Sequence, residues 1–349
     1  MNESTIERYD KSGMRRLLAG FHRQVEDAVR IGKRTKIPPM GPSINDIVLT
    51  GLGGSAIAGD LLRSYLAPEL GVPFMVNRHY LLPRFVGARS LVIVSSYSGN
   101  TEETISAHRD ARKRRAKVLC ISSGGETQRL AKKFRQPLIT IPRGLPPRAA
   151  LGYSFFPLLL SLVKLKFIRP RDKDIRETMI ALERQGRRYN SLDPKRNPAL
   201  QLAQRLYGKL PIVYSPADRL DAVNLRWRGQ LEENAKLLAY GNVLPEMNHN
   251  ELVGWKVLRR QMSEMAVMFL RDRSDHKRIA LRMDLTRGIV SEFAASATEV
   301  WSEGKSGLAR MFSLIYLGDW VSYYVAMLNG IDPTPVKVID YLKWELGKV

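Results

Sequence analysis

Cysteine is almost missing from this chain of 349 residues. The single one, Cys120, excludes an intramolecular disulfide, and its place in the apolar run Val118-Leu119-Cys120-Ile121 reads as a small buried hydrophobe rather than a nucleophile. Histidine is sparse as well: five are scattered without ligand spacing, so no metal and no metal cofactor is expected. Acids are outnumbered, 34 against 56 bases, which leaves a net charge of +22. Such an excess raises nucleic acid or an anionic membrane as partners. No helix-turn-helix, zinc-finger or RNA-binding signature accompanies it, however. The densest basic run, Arg109–Lys117, follows a helical-looking Thr101–His108, where cations suit the negative end of a helix dipole. Nucleic acid is therefore not the expected partner, and the charge reads as a weak attraction to anions in general. The opening MNESTIERYDKSGM mixes acids and bases and has no apolar leader, which gives the cytoplasm as the expected compartment. Long uncharged apolar runs are scarce too. Ser306–Asn329 reaches bilayer length, but Arg310 and Asp319 within it predict a helix buried in protein rather than in lipid.

What is present is an ordinary globular composition, 44% hydrophobic and 26% charged, at a length that favours two domains. Residues 1–42 read as a polar helical extension closed by the break Pro38-Pro39-Met40-Gly41-Pro42. Short apolar runs follow, at Ile47–Leu52, Phe74–Asn77, Leu91–Ser95, Val118–Ile121 and Leu138–Ile141. They alternate with amphipathic stretches such as Ala56–Leu66 and Glu102–Arg115, the pattern of strands buried on both faces by crossover helices. We read 43–165 as a first parallel α/β domain and the charged 166–198 as a helical bridge. The strand signal restarts at Leu210–Tyr214 and Ala266–Leu270, with Gly288–Phe293 a third candidate, so 199–349 is expected to be a second α/β domain.

Two stretches sit where a strand gives way to a helix. Gly51-Leu52-Gly53-Gly54-Ser55 offers glycines that let backbone approach a bound group, and a helix N-terminus that favours an anion. It lacks the third glycine and the later acidic residue of a dinucleotide site, so NAD is disfavoured. Ser95-Ser96-Tyr97-Ser98-Gly99-Asn100-Thr101 supplies the hydroxyls of Ser96, Ser98 and Thr101 ahead of Glu102-Glu103-Thr104. One hydroxyl satisfies a helix cap; three in six positions suit a phosphate held without a cationic side chain. Further on, Arg226–Glu251 carries Glu233 and His249, the two commonest proton-moving side-chain types, separated by a turn-forming Gly241-Asn242 and by Pro245. A single glutamate on a charged helix is more often a solvated face than a base, and His22, His79, His108 and His276 read as structural.

Together these stretches resemble the sugar isomerase (SIS) family. GLGGSA and SSYSGNTEET are similar to its glycine-rich and serine-rich loops. Pro147-Arg148-Ala149-Ala150-Leu151, Glu232-Glu233-Asn234-Ala235-Lys236, Pro245–Glu251 and the terminal DPTPV…LK extend the likeness to the bifunctional phosphoglucose/phosphomannose isomerases. The resemblance implies two SIS domains, each a parallel sheet flanked by helices, and a homodimer with active sites shared between subunits. It implies a phosphorylated hexose substrate whose phosphate is bound by Gly54, Ser55, Ser96, Ser98 and Thr101, with no cofactor. It further implies that Glu233 is the base, that Arg148 lies beside the reacting carbons, and that His249 of the other subunit opens the sugar ring with help from Lys343. The reaction would interconvert glucose 6-phosphate, and mannose 6-phosphate, with fructose 6-phosphate through a cis-enediol. The competing expectation is a non-catalytic phosphosugar sensor, which would have no need of Glu233 and His249.

Overall fold

The computed structural model describes residues 1–40 and 43–348; Gly41 and Pro42, the end of the expected proline-rich break, and Val349 lie outside the described residues. Two parallel sheets carry the fold. The first contains β1 (Asp46–Thr50), β2 (Phe74–Asn77), β3 (Ser90–Ser96), β4 (Lys117–Ser122) and β5 (Leu138–Thr140), in the spatial order β2-β1-β3-β4-β5. β3 (SLVIVSS) is buried at every position, as a strand covered by helices on both faces must be. Val48, Val92, Val94, Val118 and Cys120 form one side of its core with Ala107, Ala111 and Ala131 from the helices Glu102–Lys113 and Gly125–Lys133. Burial pushes the Cys120 thiol up to about 12, which fits the inert reading of that residue.

The second sheet contains β6 (Leu210–Pro216), β7 (Tyr240–Leu244), β8 (Met265–Arg271) and β9 (Ser296–Trp301), in the order β7-β6-β8-β9. In both sheets the winding reverses beside the first strand, between β1 and β3 and between β6 and β8. Such a switch point leaves a crevice at the carboxyl ends of the two strands, where open α/β sheets bind ligands. The described chain clusters into two compact units: Gly20–Ile180 with Lys305–Ala309, and Met1–Ala19 with Ala181–Gly304 and Arg310–Val349.

Two local expectations are corrected. Gly288–Phe293 is not a strand: Lys277–Ser291 is one helix, and the run Ile289-Val290 places only Val290 in the core. A β-branched pair is too short to separate the two periods. Gly241-Asn242 is not a turn either but lies inside β7. Glycine is needed there because a Cβ would stand 2.2 Å from the Val213 carbonyl oxygen, while Asn224 donates to the carbonyls of Val213 and Asn242 at 2.8 and 3.0 Å. β9 (SATEVW) carries too little apolar content to stand out as a strand in the sequence.

The apolar stretch near the C-terminus forms the helix Gly307–Leu328, which is largely buried. Its Asp319 meets Arg226 of the helix Asp221–Ala235 in a two-pronged pair, Nε at 3.1 Å and Nη2 at 2.8 Å, and accepts a third bond from Gln230 at 2.8 Å. Burial pushes the Asp319 carboxyl up while Arg226 and Gln230 pull it back. Beside this pair, Trp227 donates to the Leu314 carbonyl, and a Cβ on Gly318 would lie 2.4 Å from the indole nitrogen. Only a glycine lets the indole lie so close to the second helix. Asp319→Leu removes the counter-charge of a buried guanidinium, so urea unfolding should show a loss of about 3–5 kcal/mol, most of it recovered in Arg226→Met/Asp319→Leu. A single variant as stable as the wild type would show that the pair does not hold the helix.

Candidate active site

In the first unit the sequence-predicted phosphate residues converge at the switch point. Gly51 and Gly54 flank the start of the helix Gly53–Leu66 after β1, and Ser95 and Ser96 close β3 beside it. A Cβ on Gly51 would lie 2.7 Å from the Ser95 carbonyl oxygen, and one on Gly54 would lie 2.7 Å from that of Pro147. These glycines therefore let three loops touch: Gly51–Ser55, Ser95–Thr101 and Pro147–Arg148. Ser55 is buried and its Oγ accepts from the Tyr97 N–H at 3.1 Å. Ser96 Oγ accepts from Gly99 N–H at 3.0 Å and lies 3.2 Å from Thr101 Oγ1. Thr101 stands at the N-cap of Glu102–Lys113 yet makes no side-chain capping bond, and its hydroxyl lies against Ser96 instead. Ser98 is exposed, and its Oγ accepts from Asn100 N–H at 3.3 Å.

Arg148 sits in the single-turn helix Pro147–Ala149 and is only 4% exposed. That turn is held by a residue sequence reading missed. Gln24, on the helix Phe21–Arg34, donates to the Ala149 carbonyl and accepts from Gly152 N–H, both at 2.8 Å. A further stretch was missed as well: Ser122-Ser123-Gly124-Gly125, from the last residue of β4 to the first of the helix Gly125–Lys133, packs on the serine loop. Ser123 Oγ donates to the Tyr97 carbonyl at 2.6 Å, and Asn100 Oδ1 accepts from Glu126 N–H at 3.0 Å. Its serine-glycine composition was the available signal.

Glu233, His249 and Lys343 belong to the second unit. Glu233 is half-buried in the last turn of Asp221–Ala235, the helix anchored by Arg226 and Asp319. The helix ends at Lys236 in the left-handed conformation, φ +53°, and the Lys236 ammonium donates to the carbonyls of Glu233 at 2.7 Å and Pro333 at 3.0 Å. That contact ties the helix end to the Asp332-Pro333 turn. Glu232 has its pKa raised by burial, with Arg228 opposing and the Glu233 charge adding to it. His249 is exposed at the end of the turn Glu246–His249. Its loop is pinned on both sides. Glu251 accepts from the Tyr214 hydroxyl and from Asn242 Nδ2, the latter at 2.7 Å, and Asn248 Nδ2 donates to Thr286 Oγ1 at 2.9 Å. Glu251 thus pins this loop to β6 and β7, contacts that the sequence did not reveal. Lys343 is exposed on Lys337–Leu346. Among the described residues no group of three or more His, Cys, Asp or Glu side chains is placed to hold a metal ion.

Parallel sheets with serine and glycine loops at the first switch point define an α/β protein of the sugar isomerase (SIS) class. Residues 195–346 match the bacterial phospho-glucose isomerase C-terminal SIS domain. The chain is 46% identical over 327 residues to a bifunctional phosphoglucose/phosphomannose isomerase of Caldicellulosiruptor bescii, covering 93% of this chain and 96% of that protein. A protein of the same description from Aquifex aeolicus is 36% identical over 86% of this chain and 90% of its own length. The crystal structure of a glucose-6-phosphate isomerase like protein from Thermus thermophilus shares the fold, with TM-score 0.65 and 21% identity over 95% of this chain and 96% of that one. This chain belongs to the bifunctional phosphoglucose/phosphomannose isomerase family.

Gly54→Ala should separate the glycine loop from Pro147 without unfolding the helix it begins. The backbone clash should lower the melting temperature, and isothermal titration with a phosphorylated hexose, run well below the variant's own melting point, is expected to show affinity falling by about 10- to 100-fold. Undiminished affinity would count against contact between that loop and the ligand.

Proposed function

We propose that this chain is an aldose–ketose isomerase that interconverts glucose 6-phosphate and mannose 6-phosphate with fructose 6-phosphate. Family membership over nearly the whole chain carries the reading, and the hydroxyl-lined switch point of the first unit supports a phosphorylated substrate. In this reading Gly54, Ser55, Ser96, Ser98 and Thr101 hold the phosphate through N–H and O–H donors. His249 and Lys343 open the pyranose ring, which needs one proton delivered to the ring oxygen and another taken from the anomeric hydroxyl. Glu233 then takes the proton from C2 of the open aldose and returns it to C1 on the same face, a small shift for one carboxylate. Arg148 keeps its charge throughout and offsets the developing enediolate oxygen. Mannose 6-phosphate differs at C2 alone, so rotation about C2–C3 would bring either epimer to the same enediol.

The proposal includes a homodimer in which His249 serves the partner's site. Supporting it, His249 lies on an exposed turn followed by outward-facing Val253, Val257 and Leu258, and Lys343 lies on a helix whose Val338, Tyr341, Leu342 and Trp344 face solvent. Apolar patches of this kind mark interaction surfaces. In sequence terms the proposed division is an extension at 1–42, SIS domains at 43–165 and 199–349, and a bridge at 166–198. The cytoplasm is the proposed compartment.

A coupled assay with chelator present should show both hexose 6-phosphates turned over. Glu233→Gln is expected to lower kcat by about 10²–10⁴-fold while a phosphosugar still binds; retained turnover would remove Glu233 as the base, and binding without turnover in the wild type would mark a sensor. Ser98→Ala and Thr101→Ala should act mainly on KM, so a large fall in kcat at constant KM would contradict their phosphate contact.

A further inference from the structure

The second sheet repeats the plan of the first at its own switch point. β3 and β8 each run into a loop of equal length, 97–101 and 272–276, and then into the helices Glu102–Lys113 and Lys277–Ser291. The neighbouring strands end in the same register, Ser96 opposite Ser122 and Arg271 opposite Trp301. The first residue past each neighbour is a serine that donates to the first residue of the loop beside it. Ser123 Oγ donates to the carbonyl of Tyr97 at 2.6 Å, and Ser302 Oγ donates to the side chain of Asp272 at 2.7 Å. On the other flank the loop after β1 reaches across through Ser55, and the loop after β6 does so through Arg219, which donates to Ser274 Oγ at 2.8 Å. Each site also has a buried arginine by the long apolar helix that follows it, Arg148 just before Leu151–Lys164 and Arg310, 9% exposed, in the first turns of Gly307–Leu328.

The two crevices differ in what fills them. The loop after β3 brings hydroxyls and amide groups and no acidic side chain. The loop after β8 brings Asp272, which is 6% exposed. Its carboxylate accepts from Ser274 N–H at 2.8 Å, from Ser274 Oγ, from Ser302 Oγ and from Arg310 Nε at 2.8 Å. Arg310 Nη2 also donates to Ser274 Oγ at 3.1 Å. A backbone amide, two hydroxyls and a guanidinium converging on one carboxylate are the donor set of an oxoanion site. Burial raises the Asp272 pKa, but these donors outweigh it and hold the group at about 2, so the cradle is occupied by charge at any physiological pH. Asp275 next to it is raised to about 6 by burial and by the Asp272 charge, although a backbone N–H bond, Arg219 and Arg271 oppose this. The cradle thus resists a second anion.

We propose that the second sheet carries an oxoanion cradle closed by the chain's own carboxylate: Asp272 takes the place of a bound phosphate, and the Ser274, Ser302 and Arg310 donors accept inorganic phosphate once that side chain is shortened. The inference concerns the second unit alone and does not require the catalytic roles proposed above. It also gives the native chain one open switch-point anion site rather than two.

The test compares wild type, Asp272→Ser and Asp272→Ser/Ser302→Ala in chloride and in inorganic phosphate of equal ionic strength at neutral pH. In chloride the Asp272→Ser midpoint of thermal unfolding should lie below wild type. Phosphate should raise it by several degrees more than it raises wild type, and equilibrium dialysis should find one more phosphate per chain. The double variant should lose most of the extra response. Equal responses of wild type and Asp272→Ser, with equal stoichiometry, would overturn the proposal. If Asp272→Ser does not fold in chloride, refolding yield becomes the readout: recovery in phosphate supports the cradle, and the same failure in both salts overturns it.

Discussion

The buried pair between Arg226 and Asp319 is the contact on which the second unit depends. It joins the charged helix Asp221–Ala235 to a helix apolar enough to cross a bilayer, and it explains how the latter tolerates an acid at mid-span. Two desolvated charges are stable together only with close geometry and further hydrogen bonds, which the two-pronged guanidinium and Gln230 provide. Trp227 against Gly318 then sets the distance between the helices. Everything that follows on the first helix, including Glu233 and the Lys236 cap, inherits that placement.

In the first unit the corresponding constraint is steric. Gly51 and Gly54 are required less for unusual dihedral angles than for the absence of a Cβ where three loops meet. With those loops in contact, Ser55 accepts from the Tyr97 N–H across the switch point, and within the serine loop the Thr101 hydroxyl lies against Ser96 instead of capping its helix. Gln24 fixes the arginine-bearing turn from a helix far away in sequence. The two sheets thereby share one plan and diverge in chemistry, the loop after β3 bringing neutral hydroxyl and amide groups and the loop after β8 bringing an acid.

The large positive charge finds no single structural use. Part of it lies where helices end: Arg112 and Lys113 close Glu102–Lys113, and Lys132 and Lys133 close Gly125–Lys133, with Arg112 stacked 3.7 Å over Phe134. Cations at those ends meet the negative pole of the helix dipole.

Sequence alone determined the parallel α/β class, the strands of the first sheet, the buried state of Ser306–Asn329 and the two loops at Gly51 and Ser95. Each is a local signal, an apolar period or a glycine–serine cluster at a strand end, and such signals survive without knowledge of the partner. Tertiary structure decided the rest. Gly241-Asn242 reads as a turn until Asn224 and β6 approach it, Gly288–Phe293 reads as a strand until the whole helix is seen, and β9 is too polar to be noticed. The partners of Asp319, the anchors Gln24 and Glu251, and the sealing of the second crevice by Asp272 were likewise hidden. They depend on residues distant in the chain meeting at hydrogen-bond range, and composition and spacing carry no record of such meetings.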